Sequence, residues 1–247
     1  MNSNVRVRKA GVILILLSLL NLIGCSAIDK DTATQITTAL QEKYGEEFEV
    51  TSIGNRLGTA NNDSVTSYVH PKSNSSILFK ATMDTKGKLI SDNYIVRKIG
   101  NEIENIISTH FKNNSLNAQA IVYAYGADSS ESVDTTIGLE EYIETYKPKI
   151  FIATIILEDS SDLNSASIIA SYESIYKNLF GVGFQSDVKV ISNKDYEEAS
   201  LQLRKTTDVN ETWFNHYKVV HSFILDVNEE GVSMSEPDLK TIIEGNK

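Results

Sequence analysis

The chain has 247 residues, 41% of them hydrophobic, enough for one or two compact domains with a buried core. Its single cysteine excludes an internal disulfide framework and any zinc site built on several cysteines. A formal net charge of −10 argues against nucleic acid as a partner, because phosphate neutralisation needs clustered Lys and Arg.

Residues 1–24 have the composition of a signal peptide. Arg6, Arg8 and Lys9 form a basic start, and an apolar run follows that holds no acidic residue. From Ala10 to Gly24 the run is 15 residues, short of the roughly 20 needed to span a bilayer. It ends in Leu22-Ile23-Gly24-Cys25, which resembles the lipobox of bacterial lipoprotein precursors. The resemblance implies diacylglyceryl and palmitate-type acylation of Cys25, cleavage after Gly24, and a membrane anchor on the extracytoplasmic face. Two acyl chains at about 0.8 kcal/mol per buried CH₂ suffice for stable anchoring. Removing residues 1–24 discards three basic and no acidic side chains, so the rest of the chain is more acidic still. Residues 25–31 then form a short tether.

Residues 32–112 form a first module with the pattern α-β-β-β-α. Ala33, Ile36, Leu40 and Tyr44 recur at helical spacing, with Asp31 as a cap and Gly45 as a stop. Alternation then predicts strands from Phe48, over Val65–His70, and over Ile77–Met83. The turns between them are Ala60-Asn61-Asn62-Asp63 and Asp84-Thr85-Lys86-Gly87-Lys88. After Asp92 the stripe Ile95, Ile99, Ile103, Ile106, Ile107 marks a long helix. Within this module Glu42–Val50, Tyr68-Val69-His70-Pro71 and Ser91-Asp92-Asn93-Tyr94 resemble uncharacterised lipoproteins of low-GC Gram-positive bacteria, a resemblance that implies no activity.

Residues 117–247 form a second, mixed α/β module after the polar break Lys112-Asn113-Asn114-Ser115. Strands are predicted at Ala118–Tyr125, Ile150–Leu157, Val188–Ile191 and Tyr217–Val227, and helices at Leu139–Tyr146, Leu163–Phe180, Asp195–Arg204 and Glu236–Glu244. The run Ile150–Leu157 is apolar on both parities, as in a strand covered on both faces. The whole is expected to be an α+β fold of two small modules.

Catalytic patterns are few. His70, His110, His216 and His221 share no metal-binding frame, and no serine lies in Gly-x-Ser-x-Gly. Gly181-Val182-Gly183 follows a helix and lacks the lysine of a phosphate loop, so it reads as a helix stop. The acidic sets Glu140-Glu141-Glu144 and Glu229-Glu230 lack calcium-loop spacing. No catalytic residue, metal or cofactor is therefore expected. Trp213, Phe214, His216 and Tyr217 concentrate rings with polar handles and form the candidate interaction surface. The expected role is a membrane-anchored binding or interaction protein of the cell envelope, of accessory or immunity type, facing a protein partner and no nucleic acid. The alternatives are a small-ligand binder serving a transporter or sensor, or a cell-envelope hydrolase.

Overall fold

The structure is a computed structural model that describes residues 29–54, 57–59 and 62–245. The signal segment, Cys25, most of the tether and the turn residues Ala60 and Asn61 lie outside the described residues.

Helix α1 (Lys30–Tyr44) starts at Asp29, not at Asp31: the Asp29 carboxylate accepts from the Asp31 amide at 3.2 Å and the Thr32 hydroxyl at 2.8 Å. Asp31 falls in the first turn, where its charge faces the positive end of the helix. Gly45, at φ 71°, closes the helix in the left-handed conformation that the sequence pattern anticipates. Ile36, Leu40 and Tyr44 are its buried face.

Strands β1 (Phe48–Ile53), β3 (Asn62–Pro71), β4 (Phe79–Asp84) and β5 (Leu89–Asp92) form an antiparallel sheet in the order β1-β3-β4-β5, and the short β2 (Leu57–Thr59) pairs with the start of β3. The expected three strands are present, and β2 and β5 are additions. The turn after β4 explains β5. Asp84 accepts from the amides of Lys86 and Lys88, and Gly87 takes φ 80°, so the chain doubles back as a hairpin. Leu89-Ile90-Ser91-Asp92 lacks alternation because this edge strand leaves Ile90 exposed.

Helix α2 (Tyr94–Asn113) carries the isoleucine stripe, with Ile95, Ile99, Ile103 and Ile107 buried. It links the first sheet to a second one, in which β6 (Ala118–Tyr125), β7 (Ile150–Asp159), β8 (Gly183–Ser192), β9 (Val219–Asn228) and β10 (Gly231–Val232) are ordered β10-β9-β8-β7-β6. Only β7 and β8 run parallel, joined through α4 (Ser165–Asn178). Helices α2, α4 and α6 (Glu236–Glu244) lie on one face of this sheet and share a single continuous core with the first sheet. Helix α3 (Leu139–Tyr146) packs against α2. The opposite face carries α5 (Asn193–Leu203) and a 3₁₀ helix at Glu211–His216, which build a smaller cluster on Ile121, Ile156 and Ile191. The fold is α+β, and its second sheet is covered by helices on both faces. No described helix is long and apolar enough to cross a membrane.

Candidate functional site

Strand β6 is one edge of the second sheet. It pairs with β7 from Ala118↔Leu157 to Tyr125↔Ile150, and the Glu158 amide donates to the Asn117 carbonyl at 3.1 Å. In an antiparallel ladder alternate residues bond the partner strand. That bond fixes the odd-numbered residues of β6 as the ones joined to β7. The N–H and C=O groups of Ala118, Ala120 and Val122 consequently face away from the sheet.

At Val122 two side chains of α2 occupy that open edge. The Val122 amide donates to Glu104 Oε1 at 3.0 Å, and Arg97 Nη1 donates to the Val122 carbonyl at 2.8 Å. Arg97 Nη2 donates to the same Glu104 oxygen at 2.9 Å, and Arg97 Nε reaches the Leu78 carbonyl just before β4 at 3.3 Å. The pair is buried, Arg97 at 3% and Glu104 at 13% side-chain exposure. It acts as a substitute for one residue of a neighbouring strand and ties the first sheet to the second. Gly100 allows this approach: a Cβ there would lie 2.6 Å from the Val122 carbonyl oxygen and 2.8 Å from Arg97 Nη1. The Arg97 guanidinium also lies over the Tyr123 ring, 5.6 Å from its centroid. Burial pushes the Tyr123 phenol up to about 12, Arg97 working against that shift, and its hydroxyl donates to the Thr207 carbonyl.

At half-buried Ala120 no side chain does the same among the described residues, and Ala118 is itself buried. Here α2 on one face of the sheet and α5 on the other stand apart, leaving a groove along the strand edge. Its deeper part, about 240 Å³, lies between Asn101, Glu104 and Ser108 of α2 and Leu203, Arg204 and Thr206 at the end of α5. A second part, about 350 Å³, shares Ser108, Gln119 and Arg204 with the first and continues past Lys112 and Ser200. Arg204 Nε donates to Gln119 Oε1 at 3.2 Å, and neither Arg204 nor Lys112 forms an ion pair among the described residues. Glu104, the carboxylate lining this groove, is already engaged by Arg97 and Val122. The groove is thus locally cationic in an acidic chain, with the backbone N–H and C=O of half-buried Ala120 on its floor.

The aromatic segment lies elsewhere. The 3₁₀ helix Glu211–His216 is capped by Asn210, whose side chain accepts from the Trp213 amide. Phe214 is buried in the smaller cluster, while Trp213 packs against it at 5.0 Å and against Tyr217 at 4.9 Å. His216 is exposed and does not lie on a strand, and His221 is buried on β9. Trp213, Phe214 and Tyr217 cover the outer face of the second sheet, and His216 lies outside that cluster. Tyr172, on α4, is buried and bonds Ser186 of β8. Phe180 and Gly181 take φ 52° and 80°, so the Gly181-Val182-Gly183 segment is the helix stop its sequence position indicates. Among the described residues no three His, Cys, Asp or Glu side chains converge as a metal site.

Arg97, Glu104, Arg204 and Ala120 were not among the residues the sequence singled out. A signal for the first two exists: an opposite-charge pair seven residues apart, flanking a mid-helix glycine.

No family model matches the chain, and no curated protein does. Among solved structures, a DUF5037 family protein from Ruminococcus gnavus ATCC 29149 matches with a TM-score of 0.68 at 18% identity, over 86% of this chain and 99% of that one. At that identity the likeness establishes a shared α+β fold.

Proposed function

We propose that the chain is a membrane-anchored extracytoplasmic lipoprotein, held by lipid on Cys25, that acts as a binding protein of the cell envelope. The observation that carries the binding role is the locally cationic groove between α2 and α5, where the backbone of half-buried Ala120 has no partner among the described residues. A natural sheet edge is normally blocked or covered, because exposed backbone groups recruit other chains. Here Arg97 and Glu104 block the edge at Val122, Ala118 is buried, and Ala120 between them is left half-buried. Engagement of Glu104 by Arg97 favours binding over acid–base chemistry. An acidic protein beside an anionic membrane gains nothing from electrostatic adsorption, so the lipid supplies the attachment.

Cells expressing the wild-type chain or Cys25→Ala, fed a palmitate analogue, test the anchor. The wild type is expected to be labelled, to sediment with membranes and to be cleaved by externally added protease. The Cys25→Ala variant is expected to be unlabelled and unprocessed. Normal labelling and maturation of that variant would overturn the reading.

A further inference from the structure

The polar groups of the deeper cavity are sorted by sign along β6. Gln119, just before Ala120, holds Arg204, whose Nε donates to Gln119 Oε1 at 3.2 Å. The two terminal nitrogens of Arg204 and the side-chain NH₂ of Gln119 stay free as donors. Val122, just after Ala120, holds Glu104 at 3.0 Å. Glu104 Oε1 is taken up by Val122 and Arg97, whereas Oε2 accepts only from Asn101 at 3.4 Å and keeps lone-pair capacity. Ala120 follows the same order. Along an extended strand the N–H precedes the Cα and the C=O follows it, so the outward N–H lies towards Arg204 and the outward C=O towards Glu104. Donors and a positive charge stand at one end, acceptors and a carboxylate at the other. The space between them is about 240 Å³. A cavity of about 150 Å³ holds benzene, so this one suits a molecule of up to roughly ten non-hydrogen atoms.

We propose that this cavity binds a free α-amino acid as its zwitterion, with a preference for an acidic side chain. The proposal rests on the reading of the groove as the chain's binding site and names its ligand. The ligand carboxylate accepts from Arg204 and from the Ala120 amide, and its ammonium donates to Glu104 Oε2 and the Ala120 carbonyl. In an α-amino acid the two charged groups share one carbon, so they can meet the donor and the acceptor of a single strand residue. A simple anion would satisfy Arg204 but face Glu104 and the Ala120 carbonyl without a donor, and a neutral sugar would leave Arg204 uncompensated. The second part of the groove, about 350 Å³, continues past Ser108 and Gln119 to Lys112 and gives the side chain room. Arg97 already offsets Glu104, so Arg204 and Lys112 leave an excess of positive charge that a second carboxylate balances. Aspartate and glutamate meet both the size and the charge.

The test is calorimetric titration of the full chain with aspartate, glutamate, alanine and lysine, together with residue-resolved exchange of the Ala120 amide. Each acidic amino acid is paired with its N-acetyl derivative, its α-carboxamide and its 2-hydroxy analogue. Aspartate or glutamate is expected to bind and to slow Ala120 exchange, with alanine weaker and lysine weakest. Acetylation or amidation should each weaken binding by roughly tenfold or more, the scale of a lost charge-assisted hydrogen bond. These derivatives carry the test without altering the protein. Arg204→Glu and Lys112→Glu, both at exposed positions, separate the two contacts. The first should weaken every amino acid by roughly tenfold or more, and the second should weaken aspartate and glutamate while sparing alanine. Equal affinity for an amino acid and its two blocked derivatives, or for the wild type and Arg204→Glu, would overturn the zwitterion. Tighter binding of the 2-hydroxy analogue, or of lysine over glutamate, would keep the groove as a binding site and overturn the ligand assigned to it. Absence of heat and of any change in Ala120 exchange with every compound would remove the small-ligand site altogether. No outcome here bears on the Cys25 anchor, which the labelling experiment reads separately.

Discussion

A buried ion pair contributes little to net stability when compared with a well-packed apolar pair, yet breaking one from a single side is costly. Arg97 is such a case with more attached to it. Its three bonds reach Leu78, Val122 and Glu104, so its loss strands a carboxylate and two carbonyls together. Arg97→Ala is expected to destabilise the chain by about 3–5 kcal/mol, measured by urea unfolding. The double variant Arg97→Met with Glu104→Leu should cost less than Arg97→Ala alone, because no charge is then left buried. A double variant worse than the single one would show that the pair is held for its own energy and not for its geometry. The positioning of these two residues could not be read from the chain beforehand. Glu104 and Arg97 fall on one face of α2, but which strand edge they meet depends on how α2 crosses β6 at Gly100, a contact made only in the tertiary fold.

The elements themselves were largely legible, because long periodic segments state their own character. Helix α3 and strand β6 fall where their patterns place them, and α4 is two residues shorter at each end than its apolar face suggested. Strand β8 extends back to Gly183 because it lies in register with β7 from Ile150 onward, and a parallel neighbour is invisible to local periodicity. Strands β2 and β5 are too short to show alternation. The aromatic segment illustrates the same limit. Four rings close in sequence suggested a surface, whereas the 3₁₀ turn rotates Phe214 into the cluster on Ile156 and Ile191 and leaves His216 outside. Phe214→Ala should therefore cost about 3–5 kcal/mol in thermal or urea unfolding, as for a buried ring. Trp213→Ala, at a half-buried position, should cost clearly less. Equal costs would contradict the packing described for this face.

Over the whole molecule, one core joins both sheets, and the stitches between them run through polar groups at the same place. Arg97 connects the approach to β4 with β6, Lys80 of β4 pairs with Asp208, and Tyr123 of β6 bonds Thr207. Several tyrosines are embedded in this structure. Burial raises the phenols of Tyr44, Tyr94, Tyr172 and Tyr196 above their usual value, with Asp92, Glu46 and Glu158 adding to the effect on Tyr44, Tyr94 and Tyr196, and it raises Tyr123 to about 12. In the unfolded chain these groups lose their protons near 10. The folded chain keeps them, so this contribution to stability is full below about pH 10 and declines as pH rises towards 12. Phenolate absorbance should rise late and together with unfolding. Titration of all tyrosines near 10 without loss of structure would contradict the burial assigned to them.

The account centres on a strand edge that is closed at Val122 and open at Ala120. Residue-resolved hydrogen exchange of the full chain, with no ligand present, measures that difference directly. The Ile121 and Val122 amides, bonded to β7 and to Glu104, should exchange slowly, and the Ala120 amide between them and Gln119 should exchange much faster. An Ala120 amide protected as strongly as that of Val122 would mean the edge is already covered, and the groove would then not be an open binding site.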